Sequence, residues 1–343
     1  MFFLFLSITI ILFITFLMLK SFEKKPFKYG KRIIAHSPTN QNVAIGDTAV
    51  EVIKREKVFK LIKNIVCYSF LVIMAFCMIL PFYWMIATSL KTAAEIDLPT
   101  PTFIPGLGKY ELALSNYPQA IERLNAGRLI FNTLVVGVVS TIGTVITTVM
   151  AAFAFSRIKF PGREVIFTIF IATMMIPGEM MVITNYITVT KTAKSIFGHT
   201  GIDTYWAMIV PFLISVYYIY LLRQNFKQIP NELYYAAKVD GTSDLKYLLK
   251  IMVPIAMPTI ITITILKLMG SWNAYVWPMM VTRKDEMRLI TTGLRSSFSD
   301  AEGRTAQGLQ MAATTVVTLP LLFVFMFLRK YIMRGVSRSG IKG

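Results

Sequence analysis

Residues 129–155 read LIFNTLVVGVVSTIGTVITTVMAAFAF, 27 consecutive positions without an ionisable side chain. A helix rising about 1.5 Å per residue needs about 20 such positions to cross the hydrocarbon of a bilayer. Working outward, further apolar segments lie at 1–19, 65–90, 165–187, 205–222, 251–281 and 308–328. Backbone polar groups in lipid must be satisfied within the segment, so spans of this length are helices. Composition agrees: of 343 residues, 55% are hydrophobic and 16% charged, against about 25% charged in a soluble domain. The expected fold class is an all-α polytopic membrane protein. The segment 165–187 is interrupted by Pro177-Gly178, and 251–281 by Pro254, Pro258 and Gly270. Breaks of this kind are either plain kinks or places where a span lines a pathway.

The chain carries 36 Lys and Arg against 18 Asp and Glu, a net +18. In a soluble chain that excess suggests nucleic acid. Here position explains it. Twenty-four basic residues fall in 20–63, 157–163, 223–250 and 329–343, eleven in 91–128, 188–204 and 282–306, and Lys267 lies inside a span. The positive-inside rule puts the first set in the cytoplasm, with the N-terminus outside and the C-terminus inside. The partner implied by this charge is the bilayer, crossed several times, and not nucleic acid.

Segment 1–20 lacks a basic leader and a small-residue cleavage site, so an uncleaved anchor helix is expected there. A polar, basic linker follows over 21–62, loosely ordered, with an amphipathic stretch near its end that can lie on anionic lipid. The main transmembrane domain is expected over 63–343. Cys67 and Cys77 are ten residues apart on one helix, about 15 Å, too far for a disulfide. His36 and His199 are isolated, so no metal-ligand spacing is present. The sequence offers no catalytic cluster of His, Asp or Glu, which argues against a membrane enzyme.

The most informative polar stretch runs Pro230-Asn231-Glu232-Leu233-Tyr234-Tyr235-Ala236-Ala237-Lys238-Val239-Asp240-Gly241-Thr242-Ser243-Asp244. Proline stops the incoming helix, and Asn231 is suited to cap a new one. About two helical turns follow, from Glu232 to Val239. Asp240-Gly241 ends them, because glycine accepts the left-handed conformation at a helix C-terminus. Thr242 or Ser243 can cap the next helix. Ala236 and Ala237 suggest a small-residue surface open to another protein, and the alternative is a plain re-entry loop.

This stretch resembles the EAA loop of permeases in ATP-binding-cassette (ABC) importers, particularly the carbohydrate-uptake family and its maltose-type second permease subunit. The resemblance extends over about 60–343. It is carried also by Leu80-Pro81-Phe82-Tyr83-Trp84, Asn132-Thr133-Leu134, Ala151-Ala152-Phe153-Ala154-Phe155-Ser156-Arg157, Phe160-Pro161-Gly162-Arg163, Ile176-Pro177-Gly178-Glu179, Ser271-Trp272-Asn273 and Arg334-Gly335. It implies a six-helix type I importer core in a bacterial inner membrane, to which the anchor helix expected over 1–20, outside the resemblance, is an addition. It also implies a coupling loop at 230–250 whose Glu232, Tyr235, Ala236, Ala237, Asp240 and Gly241 contact a cytoplasmic ABC ATPase dimer. The family's motif glutamate falls on Tyr235, which cannot form its ion pair. A homologous second permease and an extracellular solute-binding protein, reached through 282–306, are the other implied partners. The chain has no Gly-x-x-x-x-Gly-Lys-[Ser/Thr] motif, so it needs no cofactor of its own; ATP and Mg²⁺ belong to the ATPase.

For the translocation path, the candidates are Glu179, Lys267, Trp272, Asn273 and Tyr275. An ionisable group within a span normally faces a bundle interior or water, and Trp272, Asn273, Tyr275 and Trp277 combine stacking faces with an amide that suits a sugar ring. Against this stand a snorkelling lysine and an aromatic interfacial belt. The expected cargo is a sugar or oligosaccharide, with glycerol phosphate, a polyol or a uronate saccharide as alternatives. An ion-coupled secondary transporter is the rival outside the class, though no repeated halves are evident.

Overall fold

The computed structural model describes residues 42–106, 108, 110–198, 201–299 and 305–337. The anchor expected over 1–20, and with it the first segment at 1–19, lies outside them. The chain divides into two compact units, 1–84 and 85–343. The described part of the first is a single helix, α1 (Asn42–Ser89), which runs on past the boundary. The linker expected over 21–62 is therefore helical from Asn42 onward and continuous with the following span.

In the second unit, α2 (Ala93–Ile96), α3 (Asn116–Leu124) and α4 (Ala126–Ser156) precede a bent pair of elements. That pair begins with α5 (Arg163–Thr173) and resumes through a 3₁₀ turn, Gly178–Met181, into α6 (Val182–Phe197). Then come α7 (Tyr205–Ile209), α8 (Val216–Lys227), α9 (Asn231–Val239), α10 (Asp244–Tyr247), α11 (Val253–Trp272), α12 (Val276–Val281), α13 (Ile290–Ser299) and α14 (Thr305–Ser337). No strand occurs among the described residues.

Among the described residues, four helical stretches are long and apolar enough to span: Val58–Ser89, Ala126–Ser156, Asp244–Trp272 and Gln307–Phe327. Two bent pairs raise the number to six. One bends by 89° between Arg163–Thr173 and Gly178–Ile196; the other bends by 43° between Tyr205–Phe212 and Val216–Lys227. The break expected at Pro177-Gly178 is present. The break expected in 251–281 is placed differently, because neither Pro254 nor Pro258 interrupts α11. Pro254 lies in its first turn, directly after a π turn, Leu248–Met252, in which the Val253 N–H bonds back to the Leu248 carbonyl. The wider turn accommodates the missing proline N–H. The helix ends at Trp272, and Val276–Val281 is a separate element.

Helix α4 is the centre of this unit and packs on α11, α8, α13 and α3. Its buried stripe is Thr133, Gly137, Ser140, Thr144, Thr148 and Ala152, spaced at three and four residues. Small side chains let membrane helices approach closely, where van der Waals packing replaces the absent hydrophobic drive. At Gly143 the approach is close: a Cβ there would lie 2.5 Å from Leu213 Cδ2.

The bend at 213–215 leaves carbonyls without helical partners, and hydroxyls from α4 take them. Thr144 donates to the Phe212 carbonyl at 2.9 Å and Thr147 to the Leu213 carbonyl at 2.6 Å. Lys267 Nζ, from α11, also donates to the Phe212 carbonyl at 3.1 Å. This is the re-satisfaction that a broken membrane helix requires.

Candidate functional site

The segment after α8 folds as its residues dictate. Pro230, at φ −56° and ψ 139°, precedes α9. The C-terminus of α9 is a Schellman turn: Thr242 N–H donates to the Ala237 carbonyl at 2.9 Å and Gly241 N–H to Lys238 at 3.1 Å. That geometry requires the left-handed residue supplied by Gly241, at φ +69°. Ser243 then caps α10 by accepting from the Lys246 N–H. Asn231 is not a cap. It is the first helical residue, and its side-chain oxygen accepts from Arg157 at 2.8 Å.

Arg157, at the end of α4, is only 6% exposed. Besides Asn231 it donates to the main-chain carbonyls of Phe226 and Ile229. One guanidinium thus ties together the ends of α4 and α8 and the start of α9. A second arginine does similar work nearby. Arg223 of α8 donates to the Phe155 carbonyl at 3.0 Å, pairs with Glu164 of α5 at 2.7 Å, and lies 3.7 Å over the Phe167 ring. In the sequence Arg223 is legible only as basic-face charge, and Arg157 as that charge and as the last residue of a family-like motif. Their burial follows from the tertiary fold, and no local pattern signals it.

The inner side of α9 is packed into the bundle. Ala237 belongs to one apolar cluster with Phe153 of α4, Leu222 and Phe226 of α8, and Tyr247, Met252 and Ala256. Ala237 is therefore buried and presents no surface to a partner, which corrects the reading of Ala236 and Ala237 as one exposed patch. Tyr234 donates to Asp244 at 2.8 Å, and Lys238 pairs with the same carboxylate at 2.8 Å. The hydrogen bond to Asp244 raises the Lys238 pKa above its usual value. Burial, then the bond to Asp244, raises that of Tyr234.

The outer side is free of such contacts. Glu232, Tyr235, Ala236 and Val239 are all exposed, and their i, i+3, i+4, i+7 spacing makes one face. Asp240 and Gly241 continue it.

The translocation candidates separate. Lys267 and Tyr275 line a cavity of about 500 Å³ together with Ser140, Ser215, Tyr218 and Ser271. Trp272 does not line it; it is buried in a core cluster with Leu129, Ile290 and Ala312. Asn273 is exposed and donates to the Met269 carbonyl at 3.0 Å, closing the end of α11. Glu179 is exposed on the 3₁₀ turn and is not among the residues lining this cavity. Ser140, whose hydroxyl is 3.2 Å from that of Ser271, was not singled out in the sequence, where a serine in an apolar run gives no sign of the face it occupies.

Membrane-length helices and two bent pairs, a cavity that holds Lys267 and Tyr275, and a short exposed helix anchored to α4, α8 and α11 are the geometry of a membrane permease. A family model described as the binding-protein-dependent transport system inner membrane component matches residues 143–338. The sn-glycerol-3-phosphate transport system permease protein UgpE of Rhizobium meliloti (strain 1021) is 26% identical over 281 residues, covering 81% of this chain and 97% of that one. The arabinooligosaccharides transport system permease protein AraQ of Bacillus subtilis (strain 168) is 30% identical over 213 residues, covering 62% and 73%. A chain from a bacterial ABC transporter that imports the acidic polysaccharide alginate superposes with TM-score 0.68 at 21% identity, covering 86% of this chain and 99% of that one. A chain from the alginate transporter in complex with a periplasmic protein bound to an alginate pentasaccharide gives TM-score 0.56 at 16% identity, covering 80% and 98%.

The chain belongs to the family of binding-protein-dependent transport system inner membrane components. It is a multi-span permease with the fold of an ABC importer subunit, and the rival ion-coupled reading falls with that membership.

Proposed function

We propose that this chain is the permease subunit of an ATP-driven importer for a sugar or a related polyhydroxylated solute, and that α9 is its coupling helix. The observation that carries the reading is the two-sidedness of α9: one face exposed, the other locked to α4, α8 and α11. A push on Glu232, Tyr235 and Ala236 is delivered to three spans at once, through Arg157 and the Ala237 cluster. The partner on that face is a cytoplasmic ATPase dimer, which binds ATP and Mg²⁺ and supplies the energy of hydrolysis. Differential affinity of α9 for the closed and open dimer then shifts the spans between two states of access. A homologous second permease completes the pathway, and an external solute-binding protein delivers the cargo. In this arrangement the N-terminus is outside and the C-terminus in the cytoplasm. Relatives named for glycerol phosphate, arabinooligosaccharide and alginate transport support a sugar or sugar derivative as cargo.

Affinity purification of the chain from its native membrane in mild detergent, with mass spectrometry, tests the assembly. Co-purification of an ATPase and a homologous permease is expected. Recovery of the chain alone, under conditions where a known importer stays assembled, overturns the reading.

A further inference from the structure

We infer that the cargo is anionic, a carboxylated or phosphorylated polyhydroxylated solute that passes along a cationic track from Arg288 and Arg295 past Tyr275 to Lys267; this rests on the proposed function. Two cavities carry the track. The smaller, about 220 Å³, is lined by Arg288, Arg295, Thr292, Ser296 and Tyr275. The larger, about 500 Å³, has mostly apolar walls in which Lys267 is the one charged side chain. Tyr275 belongs to the lining of both, so the cavities adjoin at this residue.

The charges are one-signed. Neither lining contains an aspartate or glutamate. Arg288 pairs with Asp285 at 2.9 Å, but that carboxylate is 86% exposed and screened by water. Arg295 lies 5.7 Å from the centroid of the Tyr275 ring, and no carboxylate among the described residues pairs with it. Lys267 uses one of its three donors on the Phe212 carbonyl. It too lacks a carboxylate partner among the described residues, inside a span where an uncompensated charge is costly. Three cations without buried counter-charges, interleaved with the hydroxyls of Ser140 and Ser271 and the phenol of Tyr275, form a chemistry for an anion that also carries hydroxyls. Arginine forks suit carboxylate and phosphate alike, so the shared feature is the oxyanion.

The test uses the full chain reconstituted with its co-purifying subunits and binding protein, and three probes: trigalacturonate, sn-glycerol 3-phosphate and the neutral trisaccharide maltotriose. Uptake of at least one anion, exceeding that of maltotriose at least tenfold, is expected, and the probe taken up tells carboxylate from phosphate. Arg295→Gln and Lys267→Gln are expected to lower that uptake at least tenfold, while Arg295→Lys and Lys267→Arg retain half or more. Uptake of neither anion, by an importer whose ATP hydrolysis the binding protein stimulates, overturns this inference alone. Equal loss in the charge-keeping and charge-removing variants also overturns it. Failure of any ATPase to co-assemble overturns the proposed function instead.

Discussion

The Arg157 guanidinium donates to the Asn231 side-chain oxygen at 2.8 Å, joining the end of the central span to the first turn of α9. The same group also bonds two main-chain carbonyls, so it is the point where α4, α8 and α9 meet. Hydrogen bonds from a charged donor contribute about 1.5–3 kcal/mol each. Arg157→Ala is expected to destabilise the chain by roughly 3 kcal/mol, because it also takes away the donor to the Ile229 carbonyl. Asn231→Ala removes a single acceptor and is expected to cost about 1–2 kcal/mol. Thermal unfolding of the purified complex, compared with uptake, checks both. Arg157→Lys should resemble the alanine variant more than the wild type, since an ammonium cannot hold three acceptors in the planar fork of arginine.

Gly241 makes a second, sharper prediction. Its φ is +69°, yet a Cβ there meets nothing within 4 Å. The cost of substitution is therefore conformational and not steric. Gly241→Asn is expected to be mild, because asparagine tolerates the left-handed region. Gly241→Val should cost about 1–3 kcal/mol locally and open the Schellman turn. The measurement is ATP hydrolysis against uptake: membrane insertion stays normal while uptake falls and hydrolysis persists. Normal uptake in the valine variant would remove this account of the turn.

What the sequence made legible follows from which forces are local. Span existence is a matter of composition, so 129–155 and 308–328 could be read directly. The turn at Asp240-Gly241 is backbone chemistry, and it too could be read. The bend at 213–215 could not, because it depends on Thr144, Thr147 and Lys267 arriving from two other helices to take its carbonyls. Pro254 and Pro258 misled for the opposite reason: a π turn upstream and close packing around α11 absorb them. Ala237 and Trp272 share one lesson. Residue type suggested contact with a partner or a sugar, and only the packing of neighbouring helices decides that both face inward.

That bend supports a third prediction. Thr144 and Lys267 donate to the same Phe212 carbonyl, so their effects should not add. Polar contacts between membrane helices average about 0.6 kcal/mol and reach about 1.7. Thr144→Val alone is expected to fall in that range, because Lys267 still satisfies the carbonyl. With Lys267→Met also present the carbonyl is orphaned. The pair should then cost at least 0.5 kcal/mol more than the two single changes together. A double-mutant cycle on unfolding in detergent measures it, and strict additivity would show that the two donors act independently.

The face of α9 gives the fourth. Tyr235 stands where the EAA pattern has a glutamate, and its side chain is 52% exposed. A phenol ring contributes contact area and stacking, and its hydroxyl adds one hydrogen bond. If the ring carries the contact with the ATPase, Tyr235→Phe should keep recovery of that partner within about twofold, a difference of about 0.4 kcal/mol. Tyr235→Ala should lower recovery at least fivefold, about 1 kcal/mol. The thermal stability of the isolated chain should not change in either variant, because the exposed ring supports little of the core. Glu232 lies one turn earlier on the same face and is the carboxylate best placed to substitute for the missing ion pair. Glu232→Gln is therefore expected to weaken recovery further in the Tyr235→Phe background, in a salt-dependent way. Co-purification at low and high ionic strength distinguishes the two contributions. Salt-independent recovery in every variant would mean that the docking of this permease has become wholly apolar, with Tyr235 as its anchor.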